Sequence, residues 1–213
     1  MVRKYVSGNV IRRLPKYYRK LVELSNAGIQ HISSVDLGRL LGSTASQIRQ
    51  DLSHFGGFGQ QGYGYNTESL SREIARIVGM NQGYRAILVG AGNIGRALIE
   101  KFQFDDWGFE LDAAFDVDPE VIGTEINRVM VLDMDSLESY LHENAVDVAV
   151  LCVPMQEAVK TADRLIRCGI EAIWNFTNMD IVDPYSDVLV ENIHFSDSLL
   201  HLSYYLSERK NGR

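Results

Sequence analysis

The chain has 213 residues, 46% hydrophobic and 23% charged, an ordinary soluble composition with room for one large or two modest cores. No apolar run approaches the ~20 residues of a membrane span and no charged-then-apolar leader opens the chain, so the expected location is the cytoplasm. The net charge of −7 is unevenly spread, residues 1–84 carrying +6 and residues 85–213 carrying −13, which suggests that the first segment meets a polyanion while the second does something else.

Residues 1–11 show no firm pattern and read as a loose basic arm. Pro15 then sits where a first helical turn tolerates it. Tyr18, Leu21, Val22 and Ser25 line one face of this first helix, and Gly28 closes it. Arg12, Arg13, Lys16, Arg19 and Lys20 decorate it. Ser33 or Ser34 caps a second helix with Leu37, Leu40 and Leu41 inward, ended by Gly42. Thr44 with Gln47 forms a capping box for a third, whose inward stripe is Ile48, Leu52 and Phe55. Two short helices joined by a tight Gly-containing turn have the form of a helix-turn-helix, whose second helix enters the major groove. Ser46, Gln47, Arg49, Gln50 and Ser53 would face outward, with His54 near the end. These are side chains that hydrogen-bond base edges and phosphates. A generic three-helix packing unit is the alternative.

After Gly56 and Gly57, the run Phe58 to Tyr65 (FGQQGYGY) reads as a two-stranded wing. Thr67 caps a further helix with Leu70, Ile74, Ile77 and Val78 inward, and Gly79 stops it. Arg13, Lys16 and Tyr17 from the first helix, Thr44 from the turn, and Gln60, Gln61 and Tyr63 from the wing complete the surface expected to meet DNA. The first domain is placed at 1–80.

From residue 85 the pattern changes to alternating strands and helices, a second domain placed at 85–194. Strand signals fall at 86–89, 111–115, 129–132, 146–153 and 170–174, with helical patterns at 93–103, 135–142 and 156–167 between them, the doubly wound order. Asp135 with Glu138 makes one helix cap, and Gly169 closes another helix. The first strand runs into Gly90, Gly92 and Gly95, a G-x-G-x-x-G turn that opens a helix at Asn93 and Ile94, with Ala91 and Arg96 beside them. This is the context in which such a turn lays free N–H groups against a pyrophosphate. The second strand ends in Asp116, placed to accept ribose hydroxyls. A carboxylate there repels a 2′-phosphate, and Val117 and Asp118 supply no arginine, so NAD or NADH is favoured over NADP. Val153-Pro154 and Asn175 end later strands at the same carboxyl edge, where ligands of such sheets lie. Cys152 and Cys168 read as packed thiols rather than a disulfide or metal pair, and no metal site or catalytic residue is expected.

A last segment, 195–213, is a dimerisation helix and tail. Phe195, Leu199, Leu202 and Leu206 form one stripe, widened by Leu200, Tyr204 and Tyr205. Such a helix pairs with a second copy, as a palindromic operator requires, or packs on its own sheet.

Together SQIRQDLSHFGGFG, GYGY, VGAGNIGRAL, AFDVDPEVIG and VP resemble the Rex family, the redox-sensing transcriptional repressors of bacteria, along residues 12–206. The run from Arg49 to Gly56 followed by GYGY is the most specific part. The resemblance implies an α/β chain: an N-terminal winged helix-turn-helix, a Rossmann-type doubly wound parallel sheet that binds NAD(H), and a C-terminal helix exchanged between the subunits of a homodimer. It also implies that NADH releases an inverted-repeat operator, whereas NAD+ competes without releasing it well. Where the family usually offers a tyrosine after the glycine turn this chain has Lys101, and where it has an aspartate before the last helix this chain has His194, followed by Phe195. In the family these two positions join an arginine, here Arg19, in a network tied to the redox switch. Three groups that can all be positive do not form that ion-paired set, so the discrimination between NADH and NAD+, or its coupling to DNA release, is expected to differ. Gln50, Gln60 and Gln61 stand where basic residues are common, which predicts weaker salt dependence and an altered operator.

Two rival readings remain. A small NAD-dependent dehydrogenase would need an acid or base beside the nicotinamide, yet His142, His194 and His201 lie at no strand's carboxyl end. The other keeps the DNA module but places a coenzyme A fragment or another adenine nucleotide in the glycine-turn site.

Overall fold

The computed structural model describes residues 6–60, 63–182 and 187–212. The chain divides into two compact units between Gln82 and Gly83.

In the first unit, α1 (Gly8–Asn26) starts well before the expected position, on the segment read as a loose arm, so Pro15 lies inside the helix rather than in its first turn. The buried face is Val10, Leu14, Tyr17, Leu21 and Leu24, not the stripe through Tyr18, Val22 and Ser25. Burial of Val10 and Leu14 extends the helix backwards, and this apolar packing outweighs the one backbone bond that proline forgoes. After β1 (His31–Ile32), Ser33 caps α2 (Ser34–Leu41) by accepting from the Asp36 amide at 3.0 Å, and Gly42 ends it in the left-handed conformation. Leu37 and Leu41 are buried, while Leu40 is half exposed. Thr44 caps α3 (Ala45–Ser53), accepting from the Gln47 amide at 3.1 Å.

Next, β2 (Gly59–Gln60) and β3 (Gly64–Asn66) pair antiparallel, and β1 adds to the other edge of β3, making the expected two-stranded wing three-stranded. Asn66 rather than Thr67 caps α4 (Thr67–Ile77): its Oδ1 accepts from the Ser69 amide, while the Thr67 hydroxyl donates to the Ile29 carbonyl. Leu14, Tyr17, Leu21, Leu37, Ile48, Leu52, Leu70 and Ile74 close one core.

The second unit runs β4 (Tyr84–Val89), α5 (Asn93–Lys101), β5 (Phe109–Asp116), β6 (Glu125–Ile126), β7 (Val129–Asp133), α6 (Leu137–Glu143), β8 (Val148–Leu151), α7 (Ala158–Arg167), β9 (Ala172–Asn175), β10 (Leu189–Asn192) and α8 (Phe195–Asn211). The sheet order is β10-β9-β8-β4-β5-β7-β6, parallel except for β6. Its two cores lie on opposite faces and follow the strand alternation: Ile87 and Val89 join Phe115, Leu137 and Leu165, whereas Leu88 joins Ala114, Val131 and Ile99. The edge strands β6 and β10 escape sequence reading because they are short and half exposed. The expected Asp135 cap falls to Asp133, whose carboxylate accepts from the Asp135 amide.

No residue of α8 is buried; Phe195, Leu199, Leu202 and Leu206 are each about half exposed or more. No α8 side chain is buried against the chain's own sheet, contrary to one of the two expectations for this helix. Among the described residues no helix is long and apolar enough to cross a membrane, and no group of three His, Cys, Asp or Glu could hold a metal.

Candidate nucleotide site and nucleic-acid interface

The central strand β4 and the helix α5 meet at the glycine turn, where two positions tolerate no side chain. A Cβ on Gly95 would lie 1.9 Å from the Gly90 carbonyl oxygen, and one on Gly90, at φ +98°, would lie 2.7 Å from the Cys152 carbonyl carbon. Helix and strand therefore approach as closely as backbone allows. Gly92, the residue before the helix, faces open space instead. No side chain caps α5, so its first-turn amides are left for a ligand, and the positive end of the helix dipole reinforces them.

Asp116 closes the other side. Its Oδ2 accepts from the Ala91 amide at 2.6 Å, and its Oδ1 accepts from the amides of Val117 at 2.7 Å and Asp118 at 2.9 Å. A carboxylate has about four acceptor positions. One ribose hydroxyl can join without rearrangement, but a second must displace an amide, a tighter fit than expected from sequence. Beyond Asp116 a cavity of about 170 Å³ opens at the strand ends, lined mainly by Val117, Met134, Val153, Pro154 and Arg164. Arg164 is held across that wall, bidentate to Glu138 with both bonds at 2.7 Å and donating to the Met134 carbonyl at 3.1 Å. This pair holds the Glu138 carboxyl below its ordinary range. Met134 and Arg164 are pocket residues that no motif signals. Beside the turn, Cys152 is a half-buried thiol whose pKa its apolar surroundings push up to about 12, which keeps it protonated.

One expected cofactor contact, that of Asn175, is contradicted by the structure. Asn175 is 1% exposed and fully engaged: its amide nitrogen donates to the Met179 carbonyl and to Asn192 Oδ1, and its Oδ1 accepts from the Thr177 amide and hydroxyl. It braces the loop after β9. Arg96 lines neither cavity; its amide donates to the Gly92 carbonyl within the helix, and its guanidinium lies 3.9 Å from Glu100.

A second, open groove of about 450 Å³ runs along α5, where Asn93, Ile94 and Lys101 meet Phe102, Phe176 and Phe195. The Phe176 and Phe195 rings lie 6.3 Å apart. Lys101 and Phe195 thus share a groove, but His194 does not join Lys101. The imidazole Nε2 sits 2.8 Å from Asp180 Oδ1, and Nδ1 sits 3.2 Å from Asn178 Oδ1. His194 therefore has its own carboxylate, Asp180, which the sequence pattern did not reveal. Arg19 lies on α1, in the other unit.

On the first unit, α3 presents Ser46, Arg49, Gln50 and Ser53 to solvent, with His54 half buried against Phe55. Arg49 Nη1 donates to the Ser34 hydroxyl at 2.9 Å, and Tyr63 is 73% exposed on the wing. Gln61 and the Gln60 side chain lie outside the described residues. Other expected DNA contacts are committed elsewhere. Tyr17 is 1% exposed, which removes it from any DNA surface; its hydroxyl donates to Asp51. Arg13 is bidentate to the same carboxylate, and Gln47 Nε2 donates to it at 2.7 Å. Lys16 donates to the Leu41 carbonyl at 2.7 Å, satisfying a terminal carbonyl of α2. Asp51 is the residue that sequence reading missed. Its signal was an acid set between Ile48 and Leu52 on an otherwise apolar stripe.

Comparison with known proteins agrees with both units. Residues 5–53 match the family described as putative DNA-binding protein N-terminus, and residues 81–179 match the CoA binding domain family. The redox-sensing transcriptional repressor Rex of Clostridium beijerinckii is 51% identical over 96% of this chain and 97% of its own, and that of Caldanaerobacter subterraneus subsp. tengcongensis is 48% identical over 96% and 91%. Among solved structures, RSP in complex with β-NAD+ and operator DNA superposes with a TM-score of 0.90 at 47% identity, covering 97% of this chain and 95% of that one. RSP with β-NADH gives 0.89 at 44% identity, covering 97% of each chain. The chain belongs to the Rex family of redox-sensing transcriptional repressors.

Proposed function

We propose that this chain is a repressor that reads the NADH/NAD+ balance, holding operator DNA through α3 and the wing and releasing it when NADH occupies the second unit. The observation that carries this reading is the turn at Gly92. It is open, uncapped, and bounded by the Asp116 carboxylate and the 170 Å³ cavity, in a chain that also carries a helix-turn-helix. The first-turn amides of α5 would take the pyrophosphate, Asp116 a ribose hydroxyl, and the cavity at Val117, Met134 and Pro154 the adenine.

NAD+ carries a cationic planar ring and NADH a neutral one, so a site that buries the ring in apolar surroundings favours the reduced form. The active species is a homodimer built on the apolar face of α8. NADH selects a dimer in which the spacing of the two α3 helices no longer matches the operator's half-sites. The first unit builds a helix-turn-helix rather than a substrate domain, which supports a sensor without catalysis. Acting on DNA, it would work in the cytoplasm.

The test is a titration of NADH and NAD+, separately and at fixed salt, into a fluorescent complex of the protein with the duplex that it selects from a random-sequence library. Release by NADH alone supports the redox switch. A second reading, another adenine nucleotide as ligand, draws on the CoA binding domain match. Release by coenzyme A and not by NADH would favour it.

A further inference from the structure

We infer that Asp51 is a positioning residue for operator recognition: by gathering Arg13 and Tyr17 of α1 and Gln47 of α3 on its two oxygens, it fixes the rotation of α3 about its own axis. This rests on the reading of α3 as the helix that meets DNA.

The recognition helix has nine residues, of which Ile48 and Leu52 are its buried apolar side chains. Apolar contact is non-directional, so two such residues fix the depth of a short helix better than its rotation. The carboxylate supplies the missing constraint. Arg13 Nε and Tyr17 OH donate to Oδ2, each at 2.6 Å, and Arg13 Nη2 and Gln47 Nε2 donate to Oδ1 at 2.8 and 2.7 Å. Three of the four donor groups come from α1, so the rotation of α3 is set against the longest helix of the unit. The Asp51 side chain is 1% exposed, which keeps water from competing for these bonds. Burial opposes its ionisation, but the hydrogen bonds from Arg13, Tyr17 and Gln47 outweigh it and hold the carboxyl below its ordinary range.

Rotation matters because readout is geometric. Turning α3 by about 20° sweeps a side chain lying roughly 5–6 Å from its axis through about 2 Å, beyond the range of a base-edge hydrogen bond. Ser46, Arg49, Gln50 and Ser53 would lose register together. Attraction to the phosphate backbone has no such dependence. Removing the charge of Asp51 also leaves the Arg13 cation unneutralised, which favours any DNA.

The experiment compares Asp51→Asn with the wild-type full chain on two duplexes, the one that the wild type selects from a random library and a scrambled one of equal length. Binding is measured by fluorescence anisotropy at a temperature where circular dichroism shows equal folded fractions. The expected result is at least a 10-fold loss of affinity for the selected duplex, with affinity for the scrambled duplex unchanged or higher. A parallel loss on both duplexes, or selected-duplex affinity within twofold of wild type, overturns the assignment. Tyr17→Phe deletes one donor while keeping the ring in the core, and decides the matter if Asp51→Asn does not fold. It should lower the selected-to-scrambled ratio two- to fivefold, and an unchanged ratio overturns the proposal. A wild type that selects no duplex would instead overturn the DNA-binding reading beneath it.

Discussion

In a Gly92→Ala protein the new methyl meets no atom within 4 Å, and the backbone there, at φ −70° and ψ −160°, is open to any residue. Two small effects on folding oppose one another. Alanine is a poorer N-cap than glycine, but it also reduces the entropy of the unfolded chain by about 0.4–1 kcal/mol. Net stability should therefore stay within about 0.5 kcal/mol of wild type. The ligand meets a different situation, because a pyrophosphate held by the first-turn amides of α5 must come up against Gly92. A methyl between them costs at least one charge-assisted hydrogen bond, about 1.5–3 kcal/mol, or roughly a 10- to 150-fold weaker Kd for NADH. Calorimetric titration with NADH, paired with thermal melts, measures both quantities. Gly95→Ala is the control for a packing defect: its Cβ would lie 1.9 Å from the Gly90 oxygen, so it should lower Tm as well as affinity. Unchanged NADH affinity in a stable Gly92→Ala protein would place the pyrophosphate elsewhere and refute the reasoning.

Asp116→Ala should weaken NADH at least about 10-fold, through the ribose contact and the loosened Ala91 amide, while ligand-free operator affinity stays within about twofold; loss of DNA binding in anisotropy would contradict the division of labour between the units. Arg49→Ala should cost about 1–3 kcal/mol in operator affinity if it reads a base, and an unchanged Kd removes it from the interface. Leu202→Glu, on the exposed face of α8, should turn a dimer into a monomer in sedimentation at micromolar concentration; a dimer that persists places the subunit contact elsewhere. In the first unit, Asp51 has a folded pKa below its unfolded value near 3.8, so its stabilisation is fully present above that value and fades as pH falls through it toward the lower folded pKa. Protection factors of α3 amides, corrected for intrinsic exchange, should fall at the acid end of that interval, and a fall beginning well above it would assign acid sensitivity to other groups.

The local parts of this protein were legible without coordinates. Gly90, Gly92 and Gly95 between an apolar run and a helical period require a close strand-to-helix turn, because the backbone chemistry is confined to neighbouring residues. The alternating pattern of the second unit and the caps at Ser33 and Thr44 are local in the same sense. Misreadings arose where a distant partner decides. Tyr17 looks like a surface aromatic until Asp51, 34 residues on, draws its hydroxyl into the core. Asn175 looks like a strand-end ligand until Asn192 and Met179 consume its amide. His194 reads as unpaired until Asp180 is found 2.8 Å from its Nε2. Periodicity and spacing therefore determined the helices of the helix-turn-helix, the central strands with their intervening helices, and the place of the glycine turn, since each depends on contacts within a few residues. Only the tertiary structure decided which polar side chains remain free to act. A hydrogen bond needs its partner within about 3 Å, and separation along the chain carries no information about that distance.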